Sequence, residues 1–570
     1  MSQASESAGG ARLSPGDFAV ISGALRSAAG EMSEALMRAA HSSIVRESRD
    51  FCTSILDTRG DTVAQAEGTP IQMNSLSAAL DWIDDKYRLD TVRPGEAFIL
   101  NNAYENGQHL NDIILVLPVF AADGELIAFA GNIAHHLEVG GGVAGSNAAA
   151  TEIYQEGLIL PSMRIDFERD LYGGPIEQII AANVRCPDVV LGDLRAQMSS
   201  VLRGRTRILE LVERFGRERL RAAMAELQDY SERMMRAVIS RIPDGVYEGH
   251  DTLDGQHAGD PLVPMHARVT VRGSEVEVDL RGCADQVGWP INVPVASTQS
   301  GTLTLFATLL GREAVTNAGT YRPITLLTRK GSIVDPIHPA PVRGRMTGVY
   351  RMATAIKRAL GKAAPEMVAA AGCDSTLSVT LAHRADGRYN MFTEILGGGN
   401  GGAFRCDGAE AVPQILSNTG NAPVEAIERA HPFVRVQEYS LVQDSGGAGQ
   451  YRGGLGIRKR FEVLADQVLL TTNGDRHQSD PWGLGGGQPG SRTAYIIHRD
   501  GESMAVDAAG MHTLRRGDVF EMVISGGGGW GDPALRDPAL VHEDIRNDRV
   551  SRAAAEHSYP HAFEPGAAAD

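Results

Sequence analysis

One Asp-Gly turn constrains the N-terminal half of this chain more than any other feature. Asp123-Gly124 lies between two apolar runs, Ile113 to Phe120 and Leu126 to Ile133, whose residues favour strands. An Asp-Gly pair between such runs predicts an antiparallel hairpin with a two-residue type I′ loop. That loop sets a register in which Asp112 lies opposite His135 and His109 lies opposite Glu138.

The open end of this hairpin collects side chains that bind metal ions. Asp112 and His135 would share one face of the sheet with Cβ atoms roughly 5 Å apart, so one ion can bridge them. His109 joins them only if the chain turns before the strand begins, because it lies an odd number of residues from Asp112. A carboxylate with two imidazoles suits zinc, manganese or iron and leaves a ligand position for water. The alternative is a polar loop at the rim of a buried strand.

Composition and charge narrow the class of protein. The 570 residues carry a net charge of −17, which argues against a nucleic-acid or anionic-membrane surface, so we expect a small-molecule substrate. Five scattered cysteines, with no Cys-x-x-Cys pair, indicate neither a disulfide framework nor a thiolate zinc site. The N-terminus has no apolar signal core and no apolar run reaches membrane-spanning length, so we expect a cytoplasmic protein.

Periodicity and turn signals predict both helices and strands. Ser14-Pro15 is typical of a helix start, and the long helix that follows delivers the chain to Asp50. A second hairpin then begins at Phe51, with Asp50 at its mouth. Apolar residues at helical spacing predict helices over 187–242. Strict alternation of apolar and polar residues over 267–280 predicts a hairpin with one solvent-exposed face. Two more helices are predicted at 297–310 and 347–360.

We predict an α+β fold class: a large mixed fold with an N-terminal helix and metal-bearing hairpins, central helices, and a β-rich C-terminal half with glycine loops. The predicted regions are a disordered tail (1–13), an N-terminal metal-binding α/β region with a helical insert (14–243), a central α+β region (244–430) and the β-rich region (431–570). Sixty-five glycines, many of them clustered, indicate positive φ or close backbone approach. Their loops could offer N–H groups to a phosphate or form tight turns.

A series of segments along nearly the whole chain resembles the hydantoinase B/oxoprolinase family. That family includes the ATP-dependent hydantoinase B proteins, the C-terminal part of 5-oxoprolinases, and related subunits of acetone and acetophenone carboxylases. These segments are, in order, Arg49-Asp50-Phe51, His109-Leu110-Asn111-Asp112, Ala134-His135-His136-Leu137-Glu138-Val139-Gly140-Gly141, Gly288-Trp289-Pro290-Ile291-Asn292, Arg322-Pro323-Ile324, Gly397-Gly398-Gly399-Asn400-Gly401, Asn418-Thr419 with Pro423-Val424-Glu425, Asp444-Ser445-Gly446-Gly447-Ala448-Gly449-Gln450-Tyr451-Arg452-Gly453-Gly454, Pro481-Trp482-Gly483-Leu484-Gly485-Gly486-Gly487, and Ser525-Gly526-Gly527-Gly528-Gly529-Trp530-Gly531-Asp532-Pro533.

The resemblance implies a subunit that holds a divalent metal (zinc, manganese or iron) and works with a hydantoinase A-like large subunit that carries the ATP site. The metal position of relatives resembles Asp50, His109, Asp112 and His135 in this sequence. His136 and Glu138 are then candidates for catalytic proton transfer. Nothing in the sequence reads as a P-loop, which agrees with ATP binding in the partner. Because the chemistry is divided between two chains, we expect a hetero-oligomer.

The implied reaction opens a hydantoin, 5-oxoproline or lactam-type ring after the partner phosphorylates the carbonyl oxygen. One alternative is a subunit of an ATP-dependent ketone carboxylase of the acetone or acetophenone type. A third is a non-catalytic scaffold for the ATP-binding partner. Two positions depart from the common family pattern: Glu138 stands where many members have aspartate, and Gln72 where many have histidine.

Overall fold

The structure is a computed structural model that describes residues 13–144, 149–311, 315–375, 377–412, 415–417 and 422–564. Almost all of the predicted disordered tail, and the Asn418-Thr419 segment, lie outside the described residues. The predicted α+β class is confirmed, since helices and several antiparallel sheets alternate along the chain. No helix among the described residues combines the length and apolar character that a membrane span requires.

The first half of the chain forms a six-stranded antiparallel sheet with helices on both faces. Its strand order is β2-β1-β5-β4-β3-β6. The strands are β1 (Phe51–Leu56), β2 (Thr62–Glu67), β3 (Glu96–Leu100), β4 (Asp112–Phe120), β5 (Leu126–His135) and β6 (Met163–Asp166). The helices are α1 (Pro15–Ala39), α2 (Ser43–Arg46), α3 (Ser75–Tyr87), α4 (Phe167–Leu171), α5 (Pro175–Asn183), α6 (Pro187–Phe215) and α7 (Arg217–Ile239).

The helix start predicted at Ser14 is confirmed. Its side chain accepts a hydrogen bond from the Asp17 backbone N–H, with Pro15 at the first helical position. The second hairpin and the two helices predicted over 187–242 are also present, as β1–β2 and α6–α7. The local signals in the sequence therefore located these elements correctly.

The β4–β5 hairpin has the predicted register at its open end but a different turn. Asp112 pairs with His135, as the Asp-Gly argument requires. The loop contains three residues rather than two, since Ala121 N–H bonds to the Glu125 carbonyl and only Gly124 has positive φ, at 85°. The type I′ prediction was therefore wrong. A β-bulge beside the turn, where Phe120 pairs with Leu126 and Val119 with Ala128, restores the register.

Both faces of this sheet are buried, which explains why β4 reads as an unbroken apolar run. Ile113 and Leu115 belong to the core shared with α1, α6 and α7. Ile114 and Val116 point the other way, into a core covered by α3. Alternation along a strand therefore assigns Asp112 and His135 to the α3 face.

The remaining strands form three further sheets, with the remaining helices between them in the sequence. The strands are β7 (Gly245–Leu253), β8 (Val263–Arg272), β9 (Glu275–Asp279), β10 (Ile324–Leu327), β11 (Leu377–Ala385), β12 (Arg388–Leu396), β13 (Val434–Leu441), β14 (Ile457–Val463), β15 (Val468–Asn473), β16 (Ala494–Arg499), β17 (Glu502–Val506), β18 (Gly510–Leu514) and β19 (Val519–Val523). The helices are α8 (Val295–Ala307), α9 (Ala318–Tyr321), α10 (Arg345–Ala363), α11 (Val424–Ala430), α12 (Pro538–Arg546) and α13 (Arg552–Ser558).

The sheet orders are β10-β9-β8-β7, β12-β11-β15-β18 and β13-β14-β19-β16-β17. The predicted hairpin over 267–280 and the two predicted helices are confirmed as β8–β9, α8 and α10. Helix α10 packs on β7 and β8, so its N-terminus is held in place by the second sheet. The region boundaries predicted near residues 243 and 430 stay predictions.

The C-terminal glycine clusters pack backbone against backbone. Gly447 N–H donates to the Gly527 carbonyl, Gly527 N–H to Gly454, and Gly454 N–H to Asn400. A Cβ atom on Gly527 would lie 2.0 Å from the Asn400 carbonyl oxygen. Close approach, one of the two predicted reasons for these clusters, therefore applies here. These N–H groups already have carbonyl acceptors, so they do not form a phosphate cradle.

Replacing Gly527 by alanine is expected to lower the free energy of unfolding by about 2–3 kcal/mol or more, because the new Cβ overlaps backbone that cannot rotate away. The matched control is Gly23→Ala in the interior of α1, where a Cβ meets nothing within 4 Å. The control should raise stability by roughly 0.5–1 kcal/mol. Urea unfolding followed by circular dichroism measures both, and equal midpoints for the two variants would contradict this account of the glycine loops.

Candidate metal centre

Three adjacent strands carry their acidic and imidazole side chains to one end of the first sheet. The β4–β5 pairing brings Asp112 opposite His135. Phe51 of β1 pairs with Ala134 of β5, and the His135 N–H donates to the Asp50 carbonyl at 3.0 Å. Asp50, His135 and Asp112 therefore form a row across β1, β5 and β4.

His109 reaches this row because the chain turns just before β4. The Asp112 N–H donates to the His109 carbonyl at 2.8 Å, which closes the turn that the sequence argument required. His109 Nε2 then lies 3.1 Å from His135 Nδ1 and 3.2 Å from Asp112 Oδ2. His135 Nδ1 is 3.3 Å from Asp112 Oδ1. The structure thus brings together His109, Asp112 and His135.

The geometry of these three residues fits a divalent ion. Ligand atoms about 2.1 Å from one ion lie about 3.0–3.4 Å from each other in octahedral or tetrahedral arrangements, which is the spacing observed. One ligand atom from each residue lies within 4.8 Å of the others, and all three residues are buried. Among the described residues, Asp112 Oδ1 has no hydrogen-bond donor. A cation would satisfy that oxygen.

The electrostatic surroundings favour a neutral His109 imidazole and an ionised Asp112 carboxylate, the protonation states in which these groups bind metal ions. Burial lowers the pKa of His109 well below its ordinary value, so the imidazole is neutral and has a free lone pair. Burial opposes ionisation of the Asp112 carboxyl, but the charge of the Arg345 guanidinium and the hydrogen bonds from the His109 and His135 imidazoles outweigh it and hold the pKa of Asp112 well below the usual range. Arg345 contacts Asp112 directly in a buried ion pair.

Asp50 stands at the edge of this cluster. Its Oδ2 lies 3.8 Å from His135 Nδ1, and its Oδ1 accepts a 3.1 Å hydrogen bond from Gln72 Nε2. Burial raises the pKa of Asp50, against the opposite effect of His135. Gln72, one of the two departures noted in the sequence, therefore touches a predicted ligand directly.

A cavity of about 40 Å³ opens beside the cluster, enough for an ion with one or two waters. It lies between three parts of the fold. The first sheet contributes Asp50, His109 and His135; the start of α10 contributes Arg343, Gly344, Arg345 and Met346; and the third sheet contributes Ser378, Thr393, Ile395 and Asn473.

The sequence argument missed the residues at the start of α10. Only tertiary packing brings them to the hairpin, more than 200 residues away in the sequence. One signal was present, because Arg343-Gly344-Arg345 places two cations where the predicted helix begins. Cations are disfavoured at a helix N-terminus, so the pattern called for an anionic neighbour.

His136 lies on the opposite face of β5 from the cluster. It is fully buried, and its Nε2 lies 2.9 Å from Gln197 Oε1 of α6. Gln197 uses its own amide to donate to Ile113 and Asn132, so its oxygen accepts from His136 and the proton sits on Nε2. Alternation along the strand explains this placement, since neighbours in a strand face opposite ways.

Glu138 is fully buried and bound to backbone. Its carboxylate accepts hydrogen bonds from the N–H groups of Gly140 and Cys186, at 2.7 and 3.0 Å, and from that of Arg185. Neither Glu138 nor His136 is among the residues that line the cavity.

Three other arginines, Arg322, Arg452 and Arg476, form ion pairs with carboxylates elsewhere in the fold. Arg322 pairs with Asp229 and Glu232. Arg452 pairs with Glu410 and Asp544, and Arg476 with Asp251. Their contacts are those of ion pairs that join elements of the fold.

Comparison with protein families and named proteins agrees with the sequence resemblance. The model described as Hydantoinase B/oxoprolinase matches residues 14–533. The chain is 32% identical over 561 residues to the B component of a putative D-/L-hydantoinase of Pseudomonas sp. (strain NS671), covering 95% of this chain and 94% of that protein. It is 30% identical over 556 residues to the beta component of the caprolactamase of Pseudomonas jessenii, with coverage of 95% and 94%.

Two solved structures share the fold. The crystal structure of ATP-dependent caprolactamase from Pseudomonas jessenii matches with a TM-score of 0.87 at 28% identity, covering 96% of each chain. Nucleotide-free acetone carboxylase also gives a TM-score of 0.87, at 20% identity, covering 96% of this chain and 79% of that one. The second likeness is one of fold alone.

Proposed function

This chain belongs to the hydantoinase B/oxoprolinase family, and we propose that it is the metal-binding subunit of a two-component, ATP-dependent amidohydrolase. Its substrate is a cyclic amide of the hydantoin, 5-oxoproline or lactam type, opened after a partner subunit phosphorylates the carbonyl oxygen. The observation that carries the proposal is the convergence of His109, Asp112 and His135, with Asp50 beside them, at one end of a buried sheet.

Each residue of this centre has a role that follows from its contacts. His109, Asp112, His135 and Asp50 would hold the ion. A divalent ion there supplies Lewis-acid chemistry, lowering the pKa of water toward about 7 so that a nucleophile is available at neutral pH. Arg345 keeps Asp112 ionised and in position, and Gln72 orients the Asp50 carboxylate.

The proton-transfer roles of His136 and Glu138 stay predictions, and their contacts support positioning instead. His136 ties β5 to α6 through Gln197. Glu138 ties the segment after β5 to the N–H groups of Arg185 and Cys186, just before α6. Both therefore help to hold the end of β5, where His135 lies.

The partner we propose is a hydantoinase A-like large subunit that binds ATP, giving a hetero-oligomer. Two relatives support this, because one is named as the B component of a hydantoinase and the other as the beta component of a caprolactamase. The related caprolactamase structure is described as ATP-dependent. On this proposal the isolated chain does not hydrolyse ATP.

Metal analysis tests the centre. The purified chain is expected to carry about one zinc, manganese or iron ion, measured by inductively coupled plasma mass spectrometry. Dialysis against a chelator should remove the ion together with the activity of the reconstituted two-subunit enzyme, and re-addition should restore both. A chain that takes up no divalent ion, in a complex that is nevertheless active, would leave the scaffold role as the better account.

A panel of substrates distinguishes the proposed cyclic amidohydrolase from the alternative, a ketone carboxylase. The reconstituted complex, supplied with ATP, is offered hydantoin, 5-oxoproline and caprolactam in one series, and acetone or acetophenone with ¹⁴C-bicarbonate in the other. We expect ring opening with ATP consumption and no fixed radiolabel. Incorporation of label into an acid-stable product would instead assign the chain to ketone carboxylation.

A further inference from the structure

Two arginines flank Gly344, the residue that precedes α10, at the wall of the metal cavity. Arg343 and Arg345 stand on either side of Gly344, and all three line the cavity with His109 and His135. Arg345 is 2% exposed and Arg343 is half-buried. The Nε atoms of both guanidinium groups are buried without a hydrogen-bond acceptor among the described residues. Both guanidinium groups therefore have hydrogen-bonding capacity that no described residue satisfies.

At the N-terminus of α10, the charges of Arg343 and Arg345 are electrostatically unfavourable unless an anion binds nearby. A helix N-terminus carries a partial positive charge and exposes N–H groups, so it favours acidic side chains and disfavours cations. The first turn of the 19-residue helix α10 contains no acidic residue, and Gly344 provides no capping side chain. Two guanidinium groups thus add positive charge to a helix end that is already positive.

The two arginines differ in how their charge is compensated. Arg345 pairs with Asp112. Among the described residues, no carboxylate forms an ion pair with Arg343, whose one side-chain hydrogen bond is a 3.5 Å contact from Nη1 to His109 Nδ1. Glu156 accepts the backbone N–H groups of Val342 and Arg343, and burial raises the pKa of its carboxyl, but it forms no ion pair with the Arg343 guanidinium among the described residues.

A metal bound to His109 would also remove the hydrogen bond between Arg343 and His109. A histidine that binds a metal through Nε2 carries its proton on Nδ1. His109 directs Nε2 toward His135 and Asp112, so in the metal-loaded state its Nδ1 is a donor and no longer accepts from Arg343. The Arg343 guanidinium is then free to bind a ligand in the cavity.

The charges around the metal-loaded centre also favour a bound anion. Arg343 and Arg345 offset the charges of Asp50 and Asp112, so these four side chains would leave the two positive charges of a divalent ion without a counter-charge at the cavity that they line or adjoin. Uncompensated charge in such a space is strongly unfavourable. A bound oxyanion restores the balance, and guanidinium groups with helix N–H groups are the donors that phosphates and carboxylates prefer.

We propose that Arg343, with the first turn of α10, forms an oxyanion subsite beside the metal and binds the phosphate of the activated substrate. This inference rests on the proposed function, because it assigns the phosphate of the O-phosphorylated amide to that subsite. Arg343 is a substrate-binding residue in this account and not a metal ligand. A substrate or product carboxylate would use the same donors, so the test includes both anions.

The probes are inorganic phosphate and acetate, titrated into the Mn²⁺-loaded full-length chain. Isothermal titration calorimetry measures affinity, and broadening of the ³¹P resonance by Mn²⁺ reports that phosphate lies next to the ion. Arg343→Met should weaken phosphate binding roughly 10- to 100-fold, and Arg343→Lys should weaken it less. The matched control is Arg268→Met, which removes an arginine paired with Glu248 on an exposed strand face.

Metal content and thermal unfolding of each variant separate the possible failures. Unchanged phosphate affinity in an Arg343→Met variant that is folded and metal-loaded would overturn the subsite while leaving the metal centre intact. Loss of metal from that variant would also overturn it, since Arg343 would then support the ligands. If the wild-type chain binds phosphate through Arg343 but takes up no metal, the proposed function fails and the subsite stands. A loss confined to acetate would overturn the phosphate assignment in favour of a carboxylate.

Discussion

On the proposed function, replacing His109 by alanine is expected to lower the kcat of the reconstituted enzyme by about 1,000-fold, because a bound metal would supply several kcal/mol of transition-state stabilisation and His109 is one of its proposed ligands. His109 contacts both other members of the cluster, His135 and Asp112, so its loss removes one of three converging ligand groups. The variant is also expected to retain less than one ion per chain. Steady-state kinetics and metal analysis on the same preparation measure the two effects.

The matched control for His109→Ala is His257→Ala, which removes a mostly exposed imidazole paired with Asp507, far along the chain from the cluster. It should leave kcat and metal content within about twofold of wild type. Thermal unfolding checks that each variant is folded. A His109→Ala enzyme with wild-type activity and a full complement of metal would remove His109 from the centre.

Replacing Arg345 by methionine is expected to lower the free energy of unfolding of the metal-free chain by about 3–5 kcal/mol, since the buried Asp112 carboxylate loses the guanidinium that offsets its charge. Arg345 and Asp112 are 2% and 0% exposed, so water cannot replace the lost guanidinium. Urea unfolding followed by circular dichroism measures the loss. A divalent ion can offset the negative charge of Asp112 in place of Arg345. Metal should therefore stabilise this variant more than it stabilises the wild type.

Arg322→Met provides the comparison for Arg345→Met. Arg322 also pairs with carboxylates, Asp229 and Glu232, but its side chain is 34% exposed and water screens the pairs. Its loss should cost about 1 kcal/mol or less. If the two variants were equally stable, or if metal stabilised Arg345→Met no more than the wild type, the charge coupling between Arg345 and the centre would be refuted.

Much of the local structure was predictable because it depends on short-range rules. Ser14 and Pro15 start α1 through a side-chain cap, and alternation and helical spacing located β8, β9, α6 and α7. The pairing of Asp112 with His135 was predicted from one Asp-Gly turn. The turn itself was predicted wrongly, and the register survived because the extra loop residue and a β-bulge offset each other.

Other features depend on contacts between distant segments. The glycine clusters are explained by partners as far apart as Asn400 and Gly527, whose close approach no local pattern specifies. The opposite faces taken by His135 and His136 follow from strand alternation, but α6 decides that His136 meets Gln197.

The sequence by itself determined that His109, Asp112 and His135 converge, because one hairpin register and one turn bring them together. The family resemblance added Asp50. Only the tertiary structure decided that β1 pairs with β5, that α10 brings Arg343 and Arg345 to the same cavity, and that the third sheet closes it. The physical reason is range: turn chemistry and side-chain alternation act over a few residues, whereas the charge balance of a buried site is set by whichever distant elements pack around it.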